Sequence, residues 1–126
     1  MHSSTVVVGA GPAGLAAAAA ASATGESVLL IDDNPQSGGQ IWRGGPGVWN
    51  DERAHRLWRT LSARANVNVL FETRVVDTEG PSRLLLESPV GARYASCEHL
   101  ILCAGARVVH CNEGPDAAFR HRATDR

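Results

Sequence analysis

The chain has 126 residues, 44% of them hydrophobic, with 12 basic against 13 acidic side chains for a net charge of −1. That length sets a single domain able to bury roughly two-thirds of its unfolded surface. The near-neutral charge gives no electrostatic footprint for nucleic acid, and no apolar run reaches the ~18 residues of a membrane span. The N-terminus lacks the basic region of a signal peptide and its apolar run is broken by glycines, so the expectation is a cytoplasmic protein without a membrane partner.

The segment Thr5 to Ala18 reads TVVVGAGPAGLAAA. An apolar strand predicted over 4–9 runs into Gly9, Gly11 and Gly14 in G-x-G-x-x-G spacing, and a helix predicted over 12–24 follows at once. Each glycine has a separate task. Gly9 allows the tight turn, Gly11 lets the backbone approach a pyrophosphate, and Gly14 lets helix and strand pack closely. The helix N-terminus then directs unpaired N–H groups and partial positive charge at the phosphates. Leu15 and the alanines at 16–21 favour helix, and Gly25 is placed to end it. A second apolar strand over 27–32 closes with Asp32, 18 positions after Gly14, where a carboxylate accepts from a ribose hydroxyl. The bland alternative is a glycine-rich turn in an ordinary βαβ unit with a surface aspartate.

Residues 33–49, DNPQSGGQIWRGGPGVW, form a loop by their glycine and proline content. Connections of this length are functional or disordered. Gly38, Gly39 and Gln40 would bring backbone near a ligand, Ile41 and Trp42 supply apolar surface, and Arg43 supplies an anion partner. The alternative is a flexible linker. Asn50 can cap the next helix, with Asp51 and Glu52 in its first turn. Ala54, Leu57, Trp58, Leu61 and Ala65 recur at helical spacing and define its apolar face. Arg53, Arg56, Arg59 and Arg64 read as a solvated surface, and Trp58 as core.

Val67 to Phe71 reads as a third strand. Three β-rich runs follow at Thr73–Glu79, Arg83–Ser88 and Ala92–Cys97, separated by Gly80-Pro81-Ser82 and Pro89-Val90-Gly91, so a small antiparallel meander is expected. His99 to Cys103 reads as a separate last strand ending at Ala104-Gly105-Ala106. Cys97, Cys103 and Cys111 are too irregularly spaced for a disulfide framework. With His99 and His110 they match no paired metal-ligand spacing, so the reading is buried or incidental thiols and no metal. Residues 107–126 show no periodic apolar face and read as a disordered tail, leaving one domain over 1–106.

The run VVVGAGPAGLAAA, the spacing from Gly25 to Asp32, and a meander followed by a strand ending LILCAGA resemble the FAD-binding half of two-dinucleotide-binding-domain flavoproteins, within the pyridine nucleotide-disulphide oxidoreductase-like superfamily. Those proteins carry Ala-Thr-Gly where this chain has Cys103-Ala104-Gly105. The loop DDNPQSGGQIWRG is similar to that in the large flavin subunits of opine oxidase, hydrogen cyanide synthase and hydroxyproline dehydrogenase, with the alpha subunit of sarcosine oxidase a more distant likeness.

The resemblance implies an α/β, Rossmann-like FAD/NAD(P)-binding domain: a parallel sheet with a small antiparallel meander. It implies FAD as cofactor, with NAD(P) the alternative, and other subunits of a flavin oxidoreductase complex as partners. It places the pyrophosphate at Gly9, Gly11, Pro12, Ala13 and Gly14, and the ribose at Asp32 or its neighbour Asp33. Gly39, Gln40 and Arg43 lie toward the pyrophosphate or flavin, Val76 offers its backbone to the adenine, and Gly105 closes the site. Family members are several times longer, so the expectation is a truncated product or fragment that does not turn over substrate alone. No catalytic residue is assigned, and the remaining alternative is a non-catalytic fragment.

Overall fold

A computed structural model describes residues 1–39, 42, 44–80 and 82–103. The first strand, predicted over 4–9, begins two residues earlier and ends one residue earlier, as β1 (His2–Val8). After it come α1 (Pro12–Ser22), β2 (Val28–Ile31), α2 (Glu52–Ser62), β3 (Val67–Leu70), β4 (Arg74–Thr78), β5 (Arg83–Ser88) and β6 (Gly91–Leu102). The six strands form one sheet in the order β3-β2-β1-β6-β5-β4. β3, β2, β1 and the C-terminal half of β6 run parallel, with Val7 opposite both Leu30 and Ile101. β4, β5 and the N-terminal half of β6 form the antiparallel meander.

Alternation of side chains across the pleat explains the continuous apolar runs. Val7, Val28 and Leu30 face one core with Leu15 and Ala18 of α1, Ala54 and Leu61 of α2, and Trp49. Val6, Leu29 and Ile31 face a second core with Leu84, Leu86, Ala95 and Cys97 of the meander. The parallel strands are therefore covered by helices on one side and by the meander on the other. A strand buried on both faces has no polar positions to alternate, which is why β2 reads Val-Leu-Leu-Ile.

Several expectations are corrected. The runs predicted as separate strands at 92–97 and 99–103 are one 12-residue strand, β6, which leaves β5 and continues along β1. The cap of α2 is Asp51 rather than Asn50: its carboxylate accepts from the N–H groups of Arg53 and Ala54 at 2.8 and 3.4 Å. The Arg53 side chain, hydrogen-bonded to Asp51, holds that carboxyl below the usual carboxylate range. α1 ends at Ser22 with Ala23 as its C-cap, so Gly25 (φ +93°) lies beyond the helix end. Ala65 falls outside α2 and is exposed. Trp58 packs on the helix-side core as expected. Residues 107–126 lie outside the described residues.

Arg64 is not a solvated surface residue. Its Nη1 donates to the Ala19 carbonyl at 2.6 Å and to Ser22 Oγ at 2.7 Å. Asn66 Nδ2 donates to the carbonyls of Ser22 and Glu26 at 3.0 and 2.7 Å. The last turn of a helix leaves carbonyls without partners, and a cation there also meets the negative end of the dipole. Arg64→Ala should lower stability by about 1–2 kcal/mol, read as a lower urea midpoint at unchanged slope. A midpoint equal to that of the wild type would mean water replaces the guanidinium at no cost.

Candidate functional site

The carboxyl ends of the parallel strands meet the N-terminus of α1, the position where open α/β sheets bind ligands. Gly9 turns the chain out of β1 with φ +107°, a conformation that L side chains resist. Its N–H donates to the Ile31 carbonyl at 2.7 Å, so the turn is fixed to β2. Gly11 is the N-cap of α1 and Pro12 follows inside the first turn. Proline suits that place because its missing N–H would have had no helical partner. Gly14 is buried, and a Cβ there would lie 1.6 Å from the Gly9 carbonyl oxygen.

The two helices, of equal length, differ at their N-termini. α2 is closed by the Asp51 side chain and has Glu52 in its first turn. α1 has no side-chain cap and no acidic residue in its first turn. Gly11 and Pro12 are half-buried and Ala13 is exposed, so this end of the dipole is open to an anion.

The Ala10 peptide between Gly9 and Gly11 is held from both sides. Its N–H donates to Asp32 Oδ1 at 3.1 Å. Its carbonyl accepts from the Gly38 N–H at 2.7 Å. Asp32 is buried at 8% exposure, and its second oxygen accepts from the Asn34 N–H at 3.3 Å. Each carboxylate oxygen takes one backbone N–H and keeps a further lone pair for a hydroxyl donor. Asp33 is exposed, on the side where its charge is felt by Arg74.

The loop after β2 folds back over the phosphate turn. Gly39 has φ +62°, and a Cβ on it would lie 2.9 Å from Gly11 Cα. The Gly39 and Gly11 backbones therefore approach closely across the turn, a closeness that a side chain on Gly39 would prevent. Trp42 and Trp49 crowd Gly38, Val48 crowds Gly44 and Gln36 crowds Gly45, so these parts of the segment pack against one another. Ser37 is 2% exposed and, among the described residues, its Oγ is the buried side-chain polar atom without a hydrogen-bond partner. Such an atom costs about 1–3 kcal/mol while its hydrogen bond is unmade.

Gly9, Gly11, Pro12, Ala13, Gly14, Asp32 and Gly39 thus converge, with Asp33 at the rim. Val76 does not join them. It is 44% exposed on β4, the edge strand three places from β1, at a bulge where the register slips between Val75 and Asp77. Gln40, Arg43 and Gly105 lie outside the described residues. Cys103 ends beside Gly14, and its N–H donates to the Val8 carbonyl at 2.7 Å. Burial pushes the thiols of Cys97 and Cys103 up, which keeps both protonated and unreactive at neutral pH.

Three contacts of this site were not read from the sequence. The Gly38 N–H grips the Ala10 carbonyl backbone to backbone, which leaves no mark in residue type. Glu72 and Thr73 donate their N–H groups to the carbonyls of Asn34 and Asp32, both at 3.0 Å. They bring the chain after β3 alongside the acidic end of β2.

A parallel sheet between a helical layer and a meander, with an open helix N-terminus at a glycine turn, defines a Rossmann-like dinucleotide-binding domain. The chain belongs to the pyridine nucleotide-disulphide oxidoreductase family, whose profile matches residues 3–124. It is 36% identical over 115 residues to one of the subunits of opine oxidase from Rhizobium meliloti, covering 84% of this chain and 25% of that one. The HcnB subunit of hydrogen cyanide synthase from Pseudomonas protegens is 34% identical over 116 residues, covering 83% and 25%. The alpha subunit of sarcosine oxidase from a Corynebacterium species is 54% identical over 102 residues, covering 65% and 11%. The chain therefore spans about a quarter or less of the length of these relatives. Among solved structures, L-proline dehydrogenase from P. horikoshii superposes with a TM-score of 0.65 at 18% identity, covering 83% of this chain and 23% of that one. At that identity the likeness is one of fold. No helix among the described residues is long and apolar enough to cross a membrane.

Proposed function

We propose that the chain is the FAD-binding portion of a flavoprotein that oxidises amines or imino acids, and that it works with partner subunits. The observation that carries this reading is the N-terminus of α1 beneath the Gly38–Gly39 loop, which has no side-chain cap and no acidic residue in its first turn. Bound there, FAD supplies the hydride chemistry of C–N bond oxidation, while the protein supplies binding and orientation.

On this reading Gly9, Gly11, Pro12, Ala13 and Gly14 hold the pyrophosphate by close approach and by the N–H groups of the first helical turn. Asp32 accepts from the adenosine ribose, with Asp33 beside it. Gly39 lies toward the pyrophosphate, and the family resemblance assigns Gln40, Arg43 and Gly105 to cofactor binding as well. The substrate class is supported by the names of the relatives, which include oxidases of opines and of sarcosine. Those relatives are called subunits, which supports an assembly. Residence in the cytoplasm fits the free thiols of Cys97 and Cys103.

The test is the visible absorption spectrum of the purified chain after incubation with FAD and desalting. Retained flavin bands near one equivalent are expected, and Asp32→Ala should weaken binding about tenfold. A folded, colourless protein that binds NAD(P) instead would replace the reading.

A further inference from the structure

We infer that Trp49 and His55 are positioning residues that hold the loop over the phosphate turn and so set the affinity of the site. The inference rests on the reading of that turn as a dinucleotide site. A single file of hydrogen bonds connects α2 to the turn. His55 Nε2 lies 2.7 Å from the Trp49 carbonyl, and a carbonyl only accepts, so this nitrogen carries the proton. The Trp49 indole N–H donates to the Trp42 carbonyl at 2.7 Å. The Trp42 N–H donates to the Gly38 carbonyl at 2.9 Å, and the Gly38 N–H to the Ala10 carbonyl at 2.7 Å. The Ala10 N–H then donates to Asp32.

Packing follows the same line. The rings of Trp42 and Trp49 are 5.8 Å apart, and Trp49 meets His55 edge-on at 5.8 Å. Trp49 is 7% exposed and belongs to the helix-side core. A Cβ on Gly38 would lie 2.8 Å from the Trp49 ring and 1.9 Å from the Trp42 carbonyl oxygen. Gly38 is thus wedged between an anchored indole and the phosphate turn, and Gly39 reaches Gly11 because Gly38 cannot retreat. α2 is rigid and capped, so His55 gives the loop a fixed point that its own glycines lack. Holding a binding loop in its bound shape raises affinity by removing the cost of ordering it.

The experiment compares the 126-residue chain with His55→Phe, which keeps the ring and loses the donor, and His55→Gln, which restores one. Two quantities are measured: the exchange rate of the Gly38 amide without ligand, and the dissociation constant for FAD. The expected result is faster Gly38 exchange and about tenfold weaker FAD binding in His55→Phe, with both largely recovered in His55→Gln and far-ultraviolet circular dichroism unchanged. A Gly38 exchange rate equal to that of the wild type in His55→Phe overturns the inference, whatever FAD does. Faster exchange in His55→Phe, in a chain whose wild type binds no FAD, supports the positioning role and overturns the FAD reading alone. Equal loss in both variants means that a restored donor does not recover the loop, and also overturns the inference.

Discussion

Gly14→Ala should destabilise the fold by about 3 kcal/mol or more. The added methyl would stand 1.6 Å from the Gly9 carbonyl oxygen and 2.7 Å from the Gly9 carbonyl carbon. Both are backbone atoms, so no rotamer change relieves the contact. The only escape is to move α1 away from β1, which opens the packing of Leu15 and Ala18 against Val7 and pulls on the Gly9 bond to Ile31. Overpacking costs about 1–3 kcal/mol where side chains can adjust. Here the cost lies at the top of that range or above it, against a total stability of roughly 5–15 kcal/mol for a domain. Urea unfolding followed by circular dichroism measures it. A midpoint like that of the wild type would show that helix and strand do not need this contact.

Gly11→Ala, three residues earlier in the same motif, should do the opposite. Gly11 has φ −78° and ψ −169°, ordinary extended backbone that alanine adopts freely. Its Cβ would meet Gly39 Cα at 3.8 Å and the Gly38 carbonyl oxygen at 3.9 Å, both normal contacts. Stability should hold or rise by about 0.4–1 kcal/mol, because alanine has fewer unfolded conformations to lose. Dinucleotide affinity should fall. The methyl occupies the space a pyrophosphate would approach, and relieving a contact worth ~1–3 kcal/mol corresponds to roughly 5- to 150-fold in Kd. Titration with FAD beside a urea melt separates the two effects. Unaltered affinity would remove Gly11 from the proposed site, and lost stability would show that the turn is tighter than its geometry indicates.

These two glycines also show what was legible before the structure. The G-x-G-x-x-G spacing, the buried Val-Leu-Leu-Ile run and Asp32 at its end were readable because each is a local pattern with a local cause. β6 was not. Glu98 and His99 interrupt its apolar run and suggest a break, yet both are exposed on a strand whose continuity comes from backbone pairing with β1. The cap of α2 was missed by one residue because Asn50 and Asp51 are both suited to the role. Arg64 and the Trp49–His55 pair were missed for a third reason. Their partners are main-chain carbonyls distant in sequence or within a loop, and a carbonyl looks the same on every residue.

The place of β6 in the sheet has a consequence for how the chain comes to be folded. It is the last described strand, yet it lies at the centre, between β1 and β5. His2 pairs with Ser96, and Val8 with Leu102. During synthesis the glycine turn and its helix emerge early but gain their second neighbour only when the chain has grown past residue 102. Until then β1 presents an unpaired edge beside an apolar face, the kind of surface on which nascent chains associate. Closure across nearly the whole described sequence is a non-local step and therefore a slow one. The ribosome thus delivers the glycine turn early, while the strand that leads into it gains its second described neighbour late.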